Sequence, residues 1–149
     1  MTLLDNVALA VGHRRTRRVM HALASVNRST ERNRARELLD LVGIGDHAQQ
    51  TVTGQPLGVL KRLELARALA LEPRLLLLDE PLAGLNHVEA PRLADTVVRI
   101  NRRGLTVVMI EHNLGEVLRV SQRLVVLDNG RKIADGDPRA VMRMEGVRA

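Results

Sequence analysis

The stretch Leu75-Leu76-Leu77-Leu78-Asp79-Glu80-Pro81 decides how the rest of the chain is read. Four leucines run into two adjacent carboxylates, and a proline stops the run. Leucine on both faces predicts a strand buried on both sides, as in a parallel sheet covered by helices. The last residues of such a strand emerge at the carboxyl edge of the sheet, where open α/β folds bind ligands. Asp79 and Glu80 are expected there, with charges poorly hydrated unless a cation or a proton transfer uses them. The strand alone admits a second reading, in which two acids merely terminate it and cap the next helix.

The flanking pattern separates the two readings. After the turn Leu82-Ala83-Gly84-Leu85-Asn86, residues Leu93, Val97 and Ile100 recur at helical spacing, and Gly104 closes that helix. Leu105–Ile110 is a second apolar strand, ending in Glu111-His112. A crossover through a helix makes consecutive strands parallel. Asp79-Glu80 and Glu111-His112 are therefore expected to leave one sheet at the same edge.

Composition sets outer bounds. The 149 residues suit one ordinary domain, and a 45% hydrophobic content argues against disorder. No Phe, Trp or Tyr is present, so no aromatic platform exists for stacking a base. The net charge of +6 favours anionic partners without specifying one, and nucleic acid is not expected. With no cysteine, disulfides and thiolate metal sites are ruled out. The five histidines lack metal-ligand spacing. No apolar run reaches transmembrane length, and a cytoplasmic protein is expected.

Upstream, residues 2–12 predict a short helix, followed by the basic run His13–Arg18, read first as a solvated helix face. Ser29 and Thr30 offer N-cap oxygens for a helix through Ala35, Leu38, Leu39 and Val42, with Gly43 at its end. Thr51–Gly58 reads as a loop, and a strong helix is expected from Val59 to Pro73. Downstream, Asn113 is expected to cap a short helix. Arg123–Leu127 should be a strand, turning at Asp128-Asn129-Gly130 into an antiparallel return over Arg131–Ala134. Asp137-Pro138 should open a last helix.

Taken together, these motifs resemble, over essentially the whole chain, the ATPase subunit of ABC transporters, most of all the branched-chain amino acid importer type. The resemblance implies an α/β fold: part of a P-loop NTPase (RecA-like) parallel sheet with helices, plus an N-terminal all-helical subdomain. Residues 1–57 would form that helical subdomain, ending in the signature loop, and 58–149 the later part of the ATPase core. Leu75–Asp79 looks like the Walker B strand, which makes Asp79 the Mg2+ residue and Glu80 the carboxylate that polarises the attacking water. His112 falls on the switch histidine. Gly84, Leu85 and Asn86 match the D-loop, with Asn86 where Asp is commoner.

Pro56, Leu57 and Gly58 match the signature loop that contacts nucleotide on the opposite subunit. Pro56 stands there in place of a serine and carries no amide, and Val59 replaces a glutamine. The cofactors implied are ATP and Mg2+. The partners implied are a second ATPase subunit and transmembrane permease subunits, with peripheral placement on the inner face of the plasma membrane. No Gly-x-x-x-x-Gly-Lys-Ser/Thr occurs in the 149 residues. On the resemblance, about the first third of the domain is absent, the strand at 75–78 has an open edge, and the chain alone binds ATP weakly or not at all. Import of a small solute, branched-chain amino acids in particular, is the expected function. The alternative is a non-catalytic remnant that serves as a binding module for an ABC partner subunit.

Overall fold

The computed structural model describes residues 1–16, 28–144 and 147, which fall into two units, Met1–Ile110 and Glu111–Ala149. Arg17, Arg18 and the apolar segment after them lie outside the described residues, as does any docking role for that basic run.

The first unit begins with helices. α1 (Leu3–Thr16) and α2 (Arg28–Leu41) pack on each other and on α3 (Leu57–Ala70). Leu3, Val7, Leu39 and Val42 are fully buried there, alongside Ala35, Leu38 and Ala66. The N-terminus is tied down by Leu3 N–H to the Gln50 carbonyl (3.0 Å), Leu4 N–H to Ala48 (2.9 Å), and a Thr2–Thr51 bridge. α2 ends as its glycine predicts. Gly43 takes φ +79°, its N–H bonds Asp40 O, and Ile44 N–H bonds Leu39 O. This paired return satisfies the last carbonyls and brings two buried side chains, Ile44 and Leu39, to one place. The start of α2 differs from expectation: the helix already runs at Arg28, so Ser29 and Thr30 lie in its first turn and do not cap it. α3 likewise starts at Leu57, two residues before the expected Val59, with Pro56 (φ −57°) preset for the position before the helix.

β1 (Leu75–Asp79) and β2 (Thr106–Ile110) pair in parallel, in register from Leu75 opposite Thr106 to Asp79 opposite Ile110. The helix between them, α4 (Glu89–Arg102), buries Ala90, Leu93, Ala94, Val97 and Ile100, so the strand–helix–strand order is as predicted. Burial of β1 on both faces is not observed. Leu76 is 5% exposed, whereas Leu77 is 69% exposed and Ile110, on the matching face of β2, is 61% exposed. A run of one residue type carries no alternation, so the leucines could not reveal which face is covered. Within this unit the cover comes from α3 and α4, whose Leu65, Leu93 and Val97 border one cavity of about 250 Å³ with Leu76.

The second unit holds α5 (Leu114–Val120), the antiparallel hairpin of β3 (Leu124–Asp128) and β4 (Arg131–Gly136), and α6 (Pro138–Val141). Asn113 Oδ1 accepts from Glu116 N–H, and Asp137 Oδ1 from the N–H groups of Arg139 and Ala140, so both predicted caps form. Asn129 (φ +45°) and Gly130 (φ +77°) are both left-handed, the turn whose twist matches two antiparallel strands.

Asp135 ties this hairpin together. Arg123 grips its two oxygens at 2.8 and 3.0 Å, and Lys132 Nζ reaches Oδ2 at 3.0 Å. Those hydrogen bonds, Arg123 first, hold the carboxyl far below the usual carboxylate range. A carboxyl that binds its proton less readily folded than unfolded makes the unfolded state the better proton acceptor, so stability rises with pH in that window. The contribution is full above the ordinary carboxylate value of about 4 and is lost progressively on acidification below it. Denaturation midpoints measured from pH 5 down to pH 2 should fall, and Asp135→Asn should flatten this acid limb. An unchanged slope in the variant would remove Asp135 from the account.

Candidate functional site

Asp79 and Glu80 occupy the carboxyl end of β1, and both side chains are exposed. The poor hydration expected for them is thus not seen: with one face of the two-stranded sheet open, water reaches the edge. Glu80 has a second peculiarity. Its φ is +44°, the left-handed region that non-glycine residues rarely adopt. Its N–H still bonds the Ile110 carbonyl at 2.9 Å, one step past the last register pair. Its carbonyl then accepts from Ala83 N–H (3.1 Å) and Lys61 Nζ (3.4 Å). The backbone therefore turns sharply off the sheet at Glu80 and is held from three sides. Such strain persists only where surrounding bonds enforce it, and it concentrates at functional sites.

Gly84, Leu85 and Asn86 form the turn after it. Gly84 has φ +78°, and a Cβ there would lie 2.8 Å from Leu57 Cδ2 at the start of α3. Gly58, buried in the first turn of α3, is as tightly fitted: a Cβ would meet Glu89 Oε1 at 2.6 Å. The structure thus brings Leu57 and Gly58 together with Gly84 and the start of α4. Asn86 does local work that sequence reasoning missed. Its Oδ1 accepts from both Val88 and Glu89 N–H at 2.9 Å, so it caps the approach to α4. The signal was legible, because an Asn three residues before a helical pattern is a capping pattern.

Gly84→Ala should cost roughly 1–3 kcal/mol, since it combines a strained φ with a side-chain clash. Urea unfolding of the variant tests this, and a neutral result would mean that Leu57 moves aside freely.

Pro56 is exposed and ends the loop, leaving no amide to offer at that position. His112 is exposed and belongs to the second unit, one residue before the Asn113 cap and two after Ile110. Among the described residues no group of three or more His, Asp or Glu is arranged to hold a metal ion. Asp79 is compatible with Mg2+ in the way that ion is commonly held, through one carboxylate with waters and substrate phosphates, and not through a closed protein cage. No helix among the described residues is long and apolar enough to cross a membrane.

Comparison with known proteins points the same way. The ABC transporter family profile matches residues 2–83. The chain is 34% identical over 110 residues to the high-affinity branched-chain amino acid transport ATP-binding protein LivG of Escherichia coli, covering 73% of this chain and 43% of LivG. It is 41% identical over 118 residues to the Fe(3+) ions import ATP-binding protein FbpC of Streptomyces avermitilis, covering 78% of this chain and 34% of that protein. The chain therefore spans less than half the length of these curated relatives. Among solved structures, the ADP conformation of MJ1267, an ATP-binding cassette of an ABC transporter, superposes with TM-score 0.78 at 25% identity, covering 99% of this chain and 61% of that one. The cbiO1 protein of Clostridium perfringens gives TM-score 0.81 at 23% identity, over 99% and 55%. The fold is that of an ABC ATPase cassette in part: helices with a parallel sheet, of the P-loop NTPase kind.

Proposed function

Because this chain belongs to the ABC transporter family, we propose that it is part of an ATP-binding and ATP-hydrolysing component that energises import of a small solute. Residues 1–57 serve as the helical subdomain, and 58–149 as the later portion of the ATPase core. The observation that carries this reading is the parallel pair β1–β2, with Asp79 at its carboxyl end and Glu80 turned off it in a strained, held conformation. In this reading Asp79 holds the hydration shell of Mg2+, and that ion when bound supplies positive charge to the phosphates. Glu80 orients and polarises the attacking water, and His112 donates to the γ-phosphate. Phosphoryl transfer depends on such positioning and charge stabilisation more than on covalent chemistry by the protein.

Pro56, Leu57 and Gly58 would face nucleotide held by a second ATPase subunit, and the Gly84-Leu85-Asn86 turn would lie beside them. A dimer docked on transmembrane permease subunits at the inner face of the membrane is the assembly this implies. A solved relative of the cassette, MJ0796, is described as a dimer in a post-hydrolysis state bound to ADP and Pi. Branched-chain amino acids are the substrate favoured by the likeness to LivG, and the FbpC likeness supports iron import as the competing assignment.

One observation favours a second reading, a binding module without catalysis: Pro56 stands in the signature loop and offers no amide to a phosphate. Nucleotide dependence separates the two. The catalytic reading expects the chain to join its permease and partner ATPase subunits more tightly with Mg-ATP, and hydrolysis to result. Assembly of equal strength with and without nucleotide, and no hydrolysis, would sink the catalytic reading in favour of the module.

A further inference from the structure

A cavity of about 400 Å³ lies beside α3 and α4, within the volume range of small-molecule pockets. Three arginines border it: Arg62 from α3, and Arg92 and Arg99, two turns apart on α4. Two of them, Arg62 and Arg99, converge on one buried hydroxyl. Arg62 Nη1 donates to Thr96 Oγ1 at 3.1 Å and to the Val42 carbonyl at 2.7 Å, and Arg99 Nη2 donates to the same Thr96 Oγ1 at 3.0 Å. Thr96 is fully buried, and its hydroxyl donates back to the Arg92 carbonyl at 2.9 Å. These acceptors are all neutral. Among the described residues, the ion pairs formed include none to Arg62, Arg92 or Arg99.

Like charges drawn together raise the energy of the site. Burial lowers the proton affinity of Arg62, and the nearby Arg99 and Arg92 lower it further, with Glu89 opposing. Two carboxylates, Glu89 and Asp95, share the lining with His47. Glu89 lies against Gly58 in the first turn of α3 and partly offsets the charge at Arg62. Three guanidiniums against two carboxylates leave a positive balance.

We propose that this cavity is an anion site for a phosphate group, held by Arg62, Arg92 and Arg99. Guanidinium forks match the oxygen spacing of phosphate and bind it bidentately. A dianion would satisfy the free faces of Arg92 and Arg99, which are exposed, while Arg62 stays anchored on Val42 and Thr96. Asp79 and Glu80 take no part, although Gly58 of the proposed signature loop borders the cavity.

Thermal unfolding of the full chain in inorganic phosphate, against chloride at equal ionic strength, tests the site. Wild type should gain Tm in a saturable manner, by about 4 °C at a tenfold excess over Kd. The double variant Arg92→Gln/Arg99→Gln spares the Arg62 anchor, and its helix content can be checked by circular dichroism. It should lose most of that gain. No gain in wild type, or an equal gain in the variant, would overturn the site. Sedimentation with vesicles containing phosphatidic acid then identifies the source of the group. Capture reversed by free phosphate assigns a lipid headgroup, and binding of free phosphate without capture assigns a soluble ion. Capture that persists in the double variant would count against the arginines.

Discussion

On the proposed catalytic reading, Glu80→Gln should reduce ATP turnover of the assembled transporter by at least about 10²-fold while nucleotide binding is retained, because it would remove a group needed only in the transition state. The substitution is nearly isosteric, so the left-handed turn at Glu80 and its backbone bonds to Ile110 and Ala83 are left intact. What disappears is the carboxylate's ability to accept a hydrogen bond from water with full negative charge. Turnover measured alongside Mg-ATP affinity distinguishes this from unfolding. Parallel loss of both would mean that the turn had collapsed. Unchanged turnover would remove Glu80 from the mechanism, and with it the catalytic reading of the sheet edge.

The second large effect is structural. Leu93→Ala should destabilise the chain by about 2–5 kcal/mol, a large share of the roughly 5–15 kcal/mol available to a domain. Leu93 is 2% exposed and borders the same cavity as Leu65, Leu76 and Val97. That cavity already forfeits contacts, so truncation enlarges a gap which the surrounding leucines cannot close without moving β1. Because β1 presents Asp79, a stability loss read by urea denaturation should be accompanied by weaker function. A loss below about 1 kcal/mol would show that α4 settles onto the strand unaided.

Much of this was legible in the sequence because local chemistry dictated it. Asn113 and Asp137 cap because their short oxygens reach amides two or three residues ahead, and Asn129-Gly130 turns because both tolerate positive φ. The parallel pairing came from a helix of Leu93, Val97 and Ile100 lying between two apolar runs. Legibility failed where the deciding partner is distant or where the residue type is silent. The run Leu75–Leu78 is chemically uniform, so its open face could not be read from it. Ser29 looked like a cap because nothing local said that α2 had begun at Arg28. Arg62 reads as an ordinary helix-surface charge, yet Thr96, its partner in the Arg92–Arg99 cluster, is 34 positions away. The hydrated state of Asp79 and Glu80 depends on the same uncovered face.

The outer edges of the same two strands bear on how copies of this chain could associate. Among the described residues β1 and β2 pair only with each other, so each retains one edge with unspent backbone donors and acceptors. Symmetry separates two outcomes. Two copies joined β1 to β1 about a twofold axis would make a four-stranded sheet, antiparallel at its centre, and stop there, the leucine faces merging into one patch. Copies joined β1 to β2 would repeat head to tail, never closing, and grow into a filament. A closed dimer and an open fibre are thus separated by the choice of edge alone.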